Sequence, residues 1–205
     1  MRLLVLPLLV ATACTGMVSG APGNGGGGGG GDDTGSDPTA PDAALAPGMA
    51  SVARGMEWVD AMVPYCQSAN HAPDGDSSCA ATCTRPDMPD WDPYRSDCSG
   101  FVSWSWDLPA PGRTTGDFAP FTTDLTHTIQ ASDLRPGDAI NNDEHIMLFE
   151  AWTTPGQEAK FIEEPGCSST QPYARETTVS VTLDGEHITP EYRGEFTAIR
   201  YDAAP

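Results

Sequence analysis

The sequence predicts an α+β domain with a mainly antiparallel sheet of about five strands, and two observations carry it. Helical apolar spacing is confined to segments before residue 110, and short, turn-bounded apolar segments fill the chain after residue 138. Helices followed by a run of strands is the pattern of an α+β domain. Met49, Val52, Met56, Val59 and Met62 recur at three and four, which predicts an amphipathic helix ended by Pro64. Tyr65 to Tyr94, with prolines at 73, 86, 89 and 93, reads as loop. Phe101, Trp104, Ser105 and Leu108 then mark a second helix, capped by Asp97 or Ser96 and stopped by Pro109. An irregular stretch follows to Asp124, and Leu134-Arg135-Pro136-Gly137-Asp138 reads as a tight turn. Five strands are expected: Ala139 to Asn141, His145 to Trp152, Ala159 to Glu163, Thr177 to Leu183 and Glu195 to Tyr201.

The front of the chain has a different composition. Met1-Arg2, the apolar run Leu3 to Val10 and the small residues Ala11-Thr12-Ala13 read as a signal peptide over residues 1–13. Cys14 stands where a bacterial lipoprotein is lipidated; ordinary cleavage after Ala13 or near Ala21 is the alternative. Residues 14–47, with seven consecutive glycines from Gly25 to Gly31, bury too little apolar surface to fold and read as a tether. A catalytic-size domain is expected over residues 48–205. The expectation is an extracytoplasmic protein, held at the membrane through Cys14 or else secreted, and monomeric.

The formal charge is −19, and residues 51–205 carry nine basic and twenty-five acidic side chains. A surface of that sign repels phosphate backbones, so nucleic acid is not an expected partner.

Six cysteines divide by context. With Cys14 lipidated and Cys98 a working thiol, Cys66, Cys79, Cys83 and Cys167 remain, an even set suited to two disulfides in an exported domain, with three pairings open. A zinc site of Cys66, His71, Cys79 and Cys83 is the rival, but the spacing matches no common zinc module, so no metal or cofactor is expected. Cys98 sits in the first turn of the second helix, where unpaired N–H groups and the helix dipole favour a thiolate. The competing reading makes it a buried filler.

A cysteine nucleophile needs a base, and the base needs a group that fixes its tautomer. Of the four histidines, His71 lies in the loop excursion, His127 in a polar segment and His187 in a turn, whereas His145 begins an apolar strand. The next strand returns Glu163 beside it, and Glu150 is the alternative orienting group.

Together these residues resemble the NlpC/P60 family of cell-wall cysteine peptidases, in its exported actinobacterial-type members. The resemblance rests on Val63-Pro64-Tyr65, Tyr94-Arg95-Ser96-Asp97-Cys98-Ser99-Gly100-Phe101-Val102-Ser103, Leu134-Arg135-Pro136-Gly137-Asp138, His145-Ile146-Met147-Leu148-Phe149 and Phe161-Ile162-Glu163, in the family's order. It implies a papain-like fold and hydrolysis of amide bonds in peptidoglycan stem peptides through an acyl-enzyme. It further implies Cys98 as nucleophile, His145 as base and Glu163 as orienting residue, where the family more often has histidine, asparagine or glutamine. Tyr94 and Asp97 match positions that bind a free substrate amine, and Ser99 is placed with them. Two other functions fit the same residues: a catalytically silent binding or scaffold lipoprotein, and a thiol amidase or acyltransferase acting on a non-wall substrate.

Overall fold

The computed structural model describes residues 47–67, 88–166 and 169–202, which belong to one compact unit, Ala43–Pro205. The expectations for the signal peptide, Cys14, the tether, His71, Cys79, Cys83 and Cys167 lie outside the described residues.

Two α-helices, α1 (Pro47–Asp60) and α2 (Cys98–Ser105), precede seven strands: β1 (Thr126–Thr128), β2 (Ala139–Asn141), β3 (Ile146–Thr154), β4 (Glu158–Glu163), β5 (Arg175–Asp184), β6 (His187–Pro190) and β7 (Phe196–Tyr201). Every pairing is antiparallel, and β7 bonds to β2 on one side and to β6 on the other. That double pairing overturns the expected fold. The sheet closes into a six-stranded antiparallel barrel of β2 to β7, with β1 added along β7, and it is not the papain-like α+β arrangement.

The missing piece in the sequence reading was β6. His187 does not lie in a turn; it opens this strand and pairs with Asp184 across the two-residue turn Gly185-Glu186, where Gly185 takes φ +62°. Glycine at the first central position of a two-residue turn between strands is a hairpin signal. His127 likewise lies in β1, opposite Arg200. With β6 in place, Ile188 meets Phe196 and the barrel has no gap on that side.

Strand alternation sorts the core into two clusters. Ile140, Met147, Phe149, Phe161, Ile188, Phe196 and Ala198 fill the barrel. Ala139, Ile146, Leu148, Ile162 and Ile199 face outward and meet Trp58 of α1 and Phe101 and Val102 of α2. Trp58 stacks on Trp104 at 6.1 Å between ring centroids and packs on Phe101 at 5.8 Å, so the two helices reach the barrel as one layer. The predicted turn forms at Arg135 to Asp138, with Gly137 at φ +90° and its Cα against Gly48 at the start of α1. Asp138 closes it by accepting the Arg135 N–H at 2.9 Å and two bonds from Arg200 at 2.8 Å, a fork geometry that anchors the turn to β7.

Candidate active site

Asp97 caps α2 with its side chain, which accepts the Gly100 N–H at 2.7 Å and the Ser99 hydroxyl at 3.2 Å. The cap places Cys98 at the first helical position, where backbone N–H groups have no partner within the helix. The backbone N–H groups of Ile146, Ser99 and Cys98 itself lie close enough to the sulfur to favour its thiolate. Cys98 is therefore packed against the residue that follows His145.

Burial changes what the helix start does. Cys98 is only 6% exposed, and burial pushes its thiol up to about 12, with the charge of Asp97 adding to the rise; the three N–H groups pull the other way and are outweighed. The expectation of a dipole-favoured thiolate is corrected by this desolvation. A thiol shifted that far keeps its proton at neutral pH.

His145 and Glu163, expected as base and orienting residue, lie together as the hairpin predicts. His145 Nε2 lies 3.0 Å from Glu163 Oε2 at the end of the β3–β4 pair, and Asn142 fixes the His145 backbone by accepting its N–H at 2.7 Å. The ring also packs edge-on against Phe196, at 6.3 Å between centroids. Glu163 thus engages Nε2, and Nδ1 is the other ring nitrogen. Glu150 does not share this work: it receives Lys160 at 3.1 Å, and Lys160 also binds Glu176.

Glu163 is fully buried and carries more partners than one histidine. Its Oε1 accepts Arg175 Nε at 3.2 Å, Arg175 Nη2 at 3.0 Å and Arg193 Nη2 at 2.7 Å. Burial alone would raise this carboxyl, but the bond to His145 and the charge of Arg193 prevail and hold it down at about 2. The folded state thus favours the anion over its unfolded value near 4.5. Its stabilisation is complete above that value and is lost as pH falls toward about 2, with a size of about 3 kcal/mol. Thermal melts should therefore show stability falling across this acid window in the native protein. In Glu163→Gln that component should be gone and the curve flatter; parallel curves for the two proteins would refute the assignment.

The other sequence-predicted residues divide. Ser99 serves the cap of α2. Tyr94 donates its hydroxyl to Leu108 O at 2.6 Å and sets its ring edge-on to Trp104, so it secures the segment after α2. Tyr65 is the tyrosine beside the thiol. Its hydroxyl is pushed up to about 12 by burial and then by the nearby charges of Cys98, Asp97 and Glu164, opposed by a hydrogen bond with Gln67. Val63-Pro64-Tyr65 stood out in sequence, but a role for Tyr65 had no local signal. Pro64 pairs with Tyr173 and Cys66 with Ser96, and these isolated bridges bring the segment alongside Cys98. Asp97 and Glu164 are both buried, and burial raises the Asp97 carboxyl against the opposing charge of Arg95.

Cys66 is disulfide-bonded and Cys98 is the free cysteine among the described residues. A thiolate zinc site on Cys66 is thereby removed. Among the described residues no cluster of three or more metal-ligating side chains occurs, and no helix is long and apolar enough to cross a membrane. A cavity of about 580 Å³ lies at the other end of α2, lined by Met49, Arg54, Trp106, Arg135 and Tyr201 among others. An eight-residue helix separates it from Cys98 by roughly 10 Å or more, so it is not part of this site.

Comparison with protein-family models, curated proteins and solved structures finds no match for the chain.

Proposed function

We propose that the protein is an exported cysteine hydrolase that cleaves amide bonds in peptidoglycan stem peptides. The observation that carries this reading is the 3.0 Å contact of His145 Nε2 with a buried Glu163, made one residue from the backbone N–H that meets the Cys98 thiol. The substrate class rests on the resemblance of the motif residues around Cys98, His145 and Glu163 to NlpC/P60 peptidases, a likeness of motif and not of fold. Anchoring through Cys14 would keep the enzyme at the wall.

The chemistry follows from the proton inventory. His145 Nδ1 takes the thiol proton as Sγ attacks the amide carbon, and Glu163 stabilises the imidazolium that forms. The N–H of Cys98, at the unpaired start of α2, holds the developing oxyanion, where preorganised donors supply much of the rate. His145 returns the proton to the leaving amine, which leaves a thioester on Cys98. Water then attacks the thioester with His145 as base, releasing the carboxylic acid and restoring the thiol. A resting thiol pushed up to about 12 makes the base essential at the moment of attack.

Buried Asp97 and Glu164 supply carboxyl groups near the thiol, and the neutral Tyr65 hydroxyl a hydrogen-bonding group, a set that suits a protonated substrate amine, with Tyr65 in the role first assigned to Tyr94. Asp97→Asn keeps the helix cap but removes the charge. It should raise KM about tenfold for a stem peptide with a free amine and leave the N-acetylated peptide unchanged. Equal effects on both peptides would remove Asp97 from recognition.

A second reading, a silent scaffold lipoprotein, is favoured by the burial of Cys98 and its raised thiol. The test that separates the two is mass spectrometry of the products released from whole peptidoglycan by the native protein and by Cys98→Ala. New amines from the native protein alone support the hydrolase. No amines from either support the scaffold. Products from a non-wall amide, with peptidoglycan untouched, would point to a related thiol amidase or acyltransferase.

A further inference from the structure

Glu163 divides its two oxygens between two tasks. Oε2 meets the imidazole of His145, while Oε1 takes three guanidinium N–H bonds, two from Arg175 and one from Arg193. One histidine does not need two arginines. The charged and titratable groups facing the carboxylate among the described residues are His145 from the start of β3, Arg175 from β5 and Arg193 from the β6–β7 loop. With a neutral imidazole, that set and the carboxylate together carry one positive charge inside a chain whose formal charge is −19.

We propose that Arg193, supported by Arg175, is a positioning residue that clamps Oε1 of Glu163 so that Oε2 is fixed on Nε2 of His145, and that it ties the β6–β7 loop to the reacting pair. The inference rests on the cysteine-hydrolase reading of the same site.

Three features argue for it. A carboxylate on a flexible side chain can rotate about its last bond, and bonding one oxygen to two planar forks removes that freedom. Arg175 stands directly opposite Glu163 in the β4–β5 ladder, so its bidentate contact is set by register. Arg193 reaches in from outside any strand, and its contact is the shortest of the three at 2.7 Å. Its side chain is one-quarter exposed, and its backbone is held to Pro190 by an N–H bond at 3.1 Å. The clamp therefore depends on the closing segment of the barrel, between the strand that the sequence reading missed and β7.

The clamp also sets what Glu163 offers His145. Two guanidinium groups share its negative charge, so the carboxylate acts chiefly as a fixed hydrogen-bond acceptor for Nε2. Such a group orients the base with less of the electrostatic pull that a lone carboxylate would exert.

The experiment compares the native protein with Arg193→Met and Arg193→Lys. The readouts are the titration of the Glu163 carboxyl carbon by NMR and the pH profile of kcat and KM on purified stem peptide. Loss of an opposite charge at hydrogen-bond distance should raise the Glu163 midpoint by about one pH unit or more. In Arg193→Met, kcat should fall about tenfold with KM little changed, because a carboxylate free to rotate orients His145 less well. Arg193→Lys should recover most of the midpoint, because charge remains, and only part of kcat, because the fork geometry is lost. An amide fingerprint spectrum checks folding, and Arg175→Met provides the second removal if Arg193→Met unfolds. An unmoved midpoint in a folded variant overturns the clamp, whatever the turnover. A moved midpoint in a protein that releases no amine from any wall peptide supports the clamp and overturns the hydrolase reading instead.

Discussion

Cys98→Ala is expected to reduce amine release from peptidoglycan by roughly a thousandfold or more, because a nucleophile, its base and its orienting group act as a unit and removing one removes the path. The fold should survive the change. Asp97 still caps α2 through Gly100, and the loss of one buried sulfur costs about 1 kcal/mol. The variant should therefore keep its melting profile while losing activity, and His145→Ala should lose as much, since the thiol retains its proton near neutral pH. Product analysis by mass spectrometry reads the result. Release by Cys98→Ala equal to that of the native protein would eliminate the mechanism, because no other free cysteine lies among the described residues.

Gly100→Ala should produce the largest loss of stability among single-methyl additions near the site. A Cβ at this position would sit 2.1 Å from the carbonyl oxygen of Arg95 and 2.8 Å from its carbonyl carbon, both backbone atoms that cannot rotate aside. Either the turn from Arg95 to Cys98 or the first turn of α2 must move. The expected cost is about 3 kcal/mol, measured as a lower urea midpoint with an unchanged slope. Activity should fall as well, because the same displacement shifts Cys98 from the N–H of Ile146. A cost below about 1 kcal/mol would overturn the close approach of Arg95 to α2 as the reason for this glycine. The glycine in Asp97-Cys98-Ser99-Gly100 is thus explained by a close backbone approach, with no need for an unusual φ.

Much of the site was legible because it is local. The spacing of Phe101 and Trp104 announced α2, and Asp97 and Gly100 lie three residues apart, so their capping bond follows from helix geometry. His145 and Glu163 stand at the open end of one hairpin, and the two-residue period alone could bring them together. Arg175 was within reach of the same logic, one strand further along, opposite Glu163. Tyr65 and Arg193 were not. One is brought in by isolated bridges, the other by the loop between β6 and β7, and neither placement leaves a pattern in the neighbouring residues.

By itself the sequence determined the elements that local periodicity encodes: two helices, the strands β2 to β5 and β7, the turn at Gly137 and the hairpin that joins His145 to Glu163. The tertiary structure decided the rest. It closed the sheet into a barrel, because β7 finds both β2 and β6, and pairing between distant strands carries no local period. It also set the state of Cys98. The helix start favours a thiolate by a local field, but desolvation depends on everything packed around the sulfur, and that outweighs the field.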